Sequence, residues 1–214
     1  LKKHGMAENT LVVFSSDNGP EVPTSISMRH DHDHNGARPW RGVKRDQWEG
    51  GHRVPFIARW PGRIKPGSTS GQTICLTDLM ATCAEVVSSE LPNDVAEDSY
   101  NFLPALLGED KGKSIREYTL HQTISLAMAI RRGPWKYLDH KGSGGSNYNR
   151  DGEWGLKQYA LPEKAPGATG QLYNLASDPG ETNNLYFKHP KIVKELKAKL
   201  EEYKKSGRSA PARP

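Results

Sequence analysis

An apolar run at residues 10–16, Thr-Leu-Val-Val-Phe-Ser-Ser, halts at Asp17, Asn18 and Gly19. It is too short for a self-supporting helix, and its β-branched and aromatic residues suit a strand. A second run, HRVPFIARWPG, is bracketed by Gly50-Gly51 and Pro61-Gly62 and reads as another strand. Between them, residues 21–47 are polar, with Pro, Gly, Ser, His and Asp throughout, and read as one long loop. Loops of that length in a compact domain are functional or disordered. The stretch TDLMATCAEVVS then predicts a helix with Thr77 as N-cap and Leu79, Met80, Cys83, Val86 and Val87 on its apolar face. Strands and a helix separated by polar turns indicate α/β architecture.

From about Ser114 the character changes. REYTLHQ, LAMAIRRGPWKYLDH and TGQLYNLASDPGET read as short strands parted by Gly-rich turns, a small antiparallel sheet. HPKIVKELKAKLEEYKKSG predicts a helix with Pro190 in its first turn and Ile192, Val193, Leu196, Leu200 and Tyr203 on one face. A chain of 214 residues accommodates two such units. The expected division is 1–113 for the α/β part, 114–206 for the sheet with its packed helix, and 207–214 for a disordered tail.

No stretch of eighteen apolar residues and no leader pattern is visible, so no membrane span is expected. The opening, LKKHGMAENT, reads as the end of a helix turning into a strand, which suggests sequence ahead of Leu1. The formal charge of +5 concentrates in the Lys-rich terminal helix, where it is a solvated face. No aromatic and basic interleaving accompanies it, which argues against nucleic-acid binding. The two cysteines, Cys75 and Cys83, have no metal-ligand spacing and read as packing residues on a helix.

In open α/β sheets ligands lie beyond the carboxyl ends of strands, where Asp17 and Asn18 stand. A carboxylate beside an amide oxygen offers hard donors suited to Ca²⁺ or Mg²⁺, although Asp-Asn-Gly is equally an Asx-turn sequence. Glu49, Gly50 and Gly51 read as shapers of the turn into the second strand, and His52 as structural. The alternating HDHDH at residues 30–34 reads as a solvated segment.

The pieces SSDNGPE, GVKRDQWEGGHRVPFIARWPG, TDLMATCAEV, AIRRGPWKY and QLYNLASDPGETNNL, in this order, resemble the sulfatase family. The type is that of arylsulfatases and N-acetylgalactosamine-6-sulfatases in the alkaline-phosphatase-like superfamily. The resemblance implies that fold, here the C-terminal part of a mixed sheet with flanking helices, plus a small antiparallel sheet and one terminal helix. It implies sulfate-ester hydrolysis, with Asp17 and Asn18 as Ca²⁺ ligands and Lys44 as the catalytic cation that holds the sulfate. A cation and a lysine are what a transition state with charge on sulfate and leaving oxygens requires. His32, His34, Arg41 and His121 are implied candidates for substrate contact. A sulfated small molecule or glycan is the implied substrate, and a periplasmic or secreted setting the implied location.

The family's formylglycine nucleophile arises in a C-x-P-S-R-like motif beside an Asp-Asp pair, and neither motif occurs here. The expectation is therefore an inactive C-terminal portion. Its partner would be an N-terminal half supplying the nucleophile, and apolar surface left bare by that half could drive self-association. Two other readings stay open: a phosphoesterase or phosphonate hydrolase of the same superfamily, and a non-catalytic module binding anionic glycans through Arg38, Arg41, Lys44 and Arg45.

Overall fold

The computed structural model describes residues 1–213 and falls into two compact units. One comprises Leu1–Ser16, Pro55–Thr119 and the chain from Tyr203 onward; the other comprises Asp17–Val54 and Leu120–Glu202. This division differs from the expected cut at 113/114. Residues 17–54 group with the C-terminal sheet because their backbone and buried side chains bond within that unit.

In the first unit, β1 (Val12–Ser15) and β2 (Phe56–Arg59) form an antiparallel pair with Phe14 opposite Ile57. Alternation sends one side outward: Phe14 and Ile57 are each 62% exposed, with Val12 beside them. On the other side Phe56 meets Phe102 edge-on at 5.6 Å. The helix α2 (Leu79–Val86) is entered through a 3₁₀ turn at Leu76–Asp78, and the cap is Asp78 rather than the expected Thr77. Asp78 is fully buried; it accepts from the Cys75 amide (2.7 Å) and the Tyr100 amide (2.9 Å) and pairs with Arg116. Burial drives its carboxyl pKa up, against the pull of Arg116. Cys83, expected to pack on the apolar face, lies exposed on α2. A short helix, α3 (Leu103–Leu107), follows.

The tail was expected to be disordered. Through residue 213 it is instead bonded down: the Ala210 amide donates to Glu97 O, Ser209 donates twice to Asp98, and Arg213 reaches the Val95 carbonyl. Residue 214 lies outside the described residues.

In the second unit the order is β3-β4-β5-β6, from β3 (Tyr118–Gln122), which enters from the first unit, through β4 (Met128–Arg132) and β5 (Trp135–Leu138) to β6 (Gln171–Asn174). Strands β4 and β5 form a tight antiparallel hairpin through Gly133, with Ile130 opposite Tyr137, and β6 pairs antiparallel with β5. Trp48, Ala129, Leu138, Tyr173 and Leu175 make one core cluster. The helix α4 (Pro190–Ser206) buries Val193, Leu196 and Leu200, each worth about 1.5–3 kcal/mol of apolar transfer. Glu195 on α4 pairs with Arg132.

Part of the expected loop is a helix, α1 (Val22–His32). The Glu21 carboxylate accepts from the Val22 amide, Pro23 sits in the first turn, and Asp33 closes the helix in the left-handed region (φ 48°). Its apolar face is only Val22 and Ile26, packed against Val43 and Leu156, so periodicity gave little sign of it. Among the described residues no helix is long and apolar enough to cross a membrane.

Candidate active site

The chain leaves β1 at Asp17, whose side chain is exposed, and Asn18, whose amide donates to Gly19 O at 3.0 Å. Two backbone bonds then stitch this turn to the segment before β2. The Gly19 amide donates to Gly51 O (2.9 Å), and the Lys44 amide donates to Pro20 O (2.8 Å). A Cβ on Gly19 would stand 1.9 Å from Gly50 O, and one on Gly51 would stand 2.1 Å from Asp46 O. Neither Gly50 nor Gly51 has positive φ, so their lack of a side chain serves close backbone approach rather than the expected unusual conformation.

On this turn the Lys44 ammonium lies 3.2 Å from Glu21 Oε2, and Arg45 grips Glu21 Oε1 at 2.5 Å. The hydrogen bond from Arg45, then that from the Val22 amide, brings the Glu21 carboxyl down to about 2. Glu21 is therefore ionised at neutral pH. Its tighter partner is Arg45, which leaves Lys44 the more available of the two cations.

Of the other expected site residues, His32 and His34 are exposed at and beyond the end of α1. Among the described residues neither has a side-chain hydrogen bond or ion pair to Asp17 or Lys44. Arg41 lies over the Trp48 ring at 3.5 Å and donates through Nη1 to Glu181 O at 3.1 Å. His121 stacks on His52, with centroids 3.9 Å apart.

That stack borders a buried ionic network that the sequence reading missed. Lys136, fully buried in β5, donates to Gln47 O (2.5 Å) and Glu49 Oε1 (3.0 Å) and pairs with Glu181 Oε1 (3.0 Å). Glu49 also takes Arg53 (2.7 Å), Arg131 (3.4 Å) and His52 (3.1 Å), while its amide donates to Glu181 Oε2 (2.6 Å). Burial works against ionising Glu49, but Lys136, His52 and His121 outweigh it and hold the carboxyl well below its usual range. Glu181 is pushed up to about 7 by burial, with Lys136 opposing and Glu49 adding. Burial and then Lys136 bring His52 down to about 4, and burial and His52 lower His121 further. Glu49 is thus a structural hub and not a turn former alone. The clue was a lysine, Lys136, inside the strand GPWKYL.

Glu49, His52 and His121 have donor atoms within 4.8 Å of one another, a grouping able to hold a metal. The Lys136 ammonium already stands 3.0 Å from Glu49 and 3.5 Å from His52 Nε2, so a resident cation balances the carboxylate there. Cys75 is no nucleophile by environment, since burial pushes its thiol up to about 11.

Residues 1–89 match the family model described as Sulfatase. Over 93% of its length the chain is 34% identical to N-acetylgalactosamine-6-O-sulfatase of Bacteroides thetaiotaomicron, and over 85% it is 34% identical to human arylsulfatase A. The chain belongs to the sulfatase family. The turn bearing Asp17, Asn18 and Lys44 lies inside the matched residues of this sulfatase chain, and the relatives extend the likeness through the C-terminal sheet. Among solved structures, a B. thetaiotaomicron protein from a core genetic locus for metabolism of multiple glycosaminoglycans superposes with TM-score 0.75 at 30% identity, covering 96% of the chain and 41% of that protein. A Pseudoalteromonas sulfatase superposes with TM-score 0.68 at 29% identity, covering 100% of the chain and 41% of that protein. The fold is that of the alkaline-phosphatase-like sulfatases. The sulfatase chain spans 37% of the B. thetaiotaomicron enzyme's length and 34% of the human one's.

Proposed function

We propose that this chain supplies the metal-ligand turn and the sulfate-holding lysine of a calcium-dependent sulfatase acting on aryl or carbohydrate sulfate esters. The observation that carries the reading is the stitching of Asp17-Asn18 and Lys44 into one turn by the Gly19–Gly51 and Pro20–Lys44 backbone bonds. Asp17 and Asn18 fit a hard cation by donor type, a carboxylate and an amide oxygen, and supply two of the six to eight oxygens that Ca²⁺ takes. When bound, the cation would supply charge stabilisation at the sulfate oxygens. A formylglycine contributed by sequence beyond this chain would supply the nucleophile; nothing around Cys75 or Cys83 fits that role.

In this reading Lys44 holds the sulfate. Its ammonium donates a hydrogen bond to a sulfate oxygen as negative charge grows there, and Glu21 orients it while Arg45 carries most of the neutralisation of Glu21. On this reading the chain alone does not turn over substrate. Its partner is the N-terminal part of the same protein, and a periplasmic or secreted setting follows from the same family reading. The bare Val12, Phe14 and Ile57 face supports association with that part or, in the isolated chain, with a second copy.

The test is a calcium titration of the full-length protein by calorimetry. Asp17→Ala is expected to weaken calcium binding by about tenfold or more. An isotherm identical to the parent would remove Asp17 from the metal site. Release of phosphate but no sulfate from paired ester substrates would move the reading to a phosphoesterase.

A further inference from the structure

The sequence holds two Asn-Gly pairs, Asn18-Gly19 and Asn35-Gly36. Such a pair is a labile point of a chain, because asparagine is a reactive amide and glycine leaves its own backbone nitrogen open to it. The fold treats the two pairs oppositely. At the first, Gly19 is buried and its amide donates to Gly51 O at 2.9 Å, so the nitrogen is occupied and Asn18 is kept an amide. At the second, Gly36 is exposed, and among the described residues neither its amide nor Asn35 Nδ2 has a hydrogen-bond acceptor.

Asn35 Oδ1, by contrast, is held by two donors, Arg29 Nη2 at 3.1 Å and the Ala37 amide at 3.1 Å. Donors aimed at an amide oxygen polarise its carbon and stabilise the oxyanion that forms when a nucleophile adds there. Arg29 has its own need of this contact. Its guanidinium lies half-buried over the Tyr159 ring, 4.5 Å from the centroid, with a buried Nε that has no hydrogen-bond partner. Among the described residues it makes no ion pair, and its one side-chain hydrogen bond is to the neutral amide of Asn35. Burial pulls its pKa down, with Tyr148 and Tyr159 opposing and Arg38 adding to the fall. A half-buried cation that faces only a neutral oxygen is short of a counter-charge.

We propose that Asn35 is a site of spontaneous deamidation whose product, an aspartate, becomes the counter-ion of Arg29. The Gly36 nitrogen attacks Asn35 Cγ; the N–Cγ bond forms, the Cγ–Nδ2 bond breaks, and ammonia leaves with the proton that Gly36 N gives up. Water then opens the cyclic imide. Addition at Cγ restores the backbone and leaves a side-chain carboxylate, whereas addition at the backbone carbonyl leaves isoaspartate. The sum is amide plus water to carboxylate plus ammonium, with no oxidant or reductant. The aspartate keeps the bonds to Arg29 and the Ala37 amide and makes both charge-assisted. Arg29 lies in the last turn of α1, so the reaction fastens that helix to the loop leading to Lys44. The proposal uses no part of the sulfatase reading.

The experiment incubates the full-length protein at mildly alkaline pH and follows the peptides carrying each Asn-Gly pair by mass spectrometry, with aspartate and isoaspartate resolved by chromatography. The Asn35 peptide is expected to convert about tenfold or more faster than the Asn18 peptide, because Gly19 N must first lose its bond to Gly51 O. Gly36→Ala, whose Cβ meets nothing closer than Pro20 Cβ at 3.8 Å, is expected to slow conversion of Asn35 severalfold while Tm is kept. Asn35→Asp, which installs the product directly, is expected to raise Tm by about 2–4 °C, and the gain is expected to vanish in an Arg29→Met background. Equal rates at the two pairs, no conversion at Asn35, or a rate indifferent to Gly36→Ala overturns the modification site. A Tm of Asn35→Asp at or below the parent, or a gain that survives Arg29→Met, overturns the counter-ion role.

Discussion

Replacing Lys136 by methionine keeps the unbranched stem as far as the Cε position and removes the ammonium group and its charge. The ammonium is fully buried between two carboxylates, at 3.0 Å from Glu49 Oε1 and 3.0 Å from Glu181 Oε1, with a further bond to Gln47 O. Glu49 keeps Arg53 and Arg131, but Glu181 has no other side-chain cation among the described residues, so the substitution strands one buried carboxyl. Breaking a buried pair from one side costs about 3–5 kcal/mol. For a chain of this size each kcal/mol lowers Tm by about 2–4 °C, so the expected drop is about 6–20 °C. Differential scanning calorimetry at neutral pH measures it, and adding Glu181→Gln is expected to recover part of the loss because no buried carboxyl, ionised or forced to take up a proton, is then left without its partner. A drop under about 2 °C, or no recovery in the double variant, would refute the assignment of Lys136 as the counter-charge of this core.

Two further outcomes follow from the same unit. Glu181 has a folded pKa raised to about 7, above the ordinary carboxyl value of 4.5, so its contribution to stability is present below pH 4.5 and is lost as pH rises through 7. Glu181→Gln is therefore expected to flatten the decline in unfolding free energy between pH 5 and 7.5 measured by urea titration; an unchanged pH slope would contradict it. Gly19→Ala, which places a Cβ at 1.9 Å from Gly50 O, is expected to pull the Asp17-Asn18 turn away from Lys44 and weaken calcium binding and stability together, whereas parental affinity and Tm would show that the stitching is dispensable.

Legibility in the sequence followed the strength of the local signal. The strand runs, the β4–β5 hairpin at Gly133 and the terminal helix carried periods and turn residues that no tertiary contact had to supply. The helix α1 was hidden because only Val22 and Ile26 face its core, and its start depends on a Glu21 side chain that also serves Lys44 and Arg45. Grouping residues 17–54 with the C-terminal sheet was equally unreadable, since it comes from contacts such as Gln47 to the carbonyls of His121 and Ala127, more than seventy positions away. Asp17, Asn18 and Lys44 were proposed from the motifs that carry the family resemblance. Glu49, Lys136 and Glu181 were not, because a charged triad joined across the unit has no spacing of its own; a lysine in an apolar strand was the one available hint.

The most direct measurement of the central claim is sulfate release by the full-length protein carrying Lys44→Ala, at saturating calcium, beside the parent and Lys44→Arg. Losing one preorganised donor to the developing charge is expected to lower kcat by about 10²–10³ with Tm unchanged, and arginine should restore only part of it. A parental kcat in Lys44→Ala, with sulfate still released in a calcium-dependent way, would contradict the assignment of Lys44 to the sulfate.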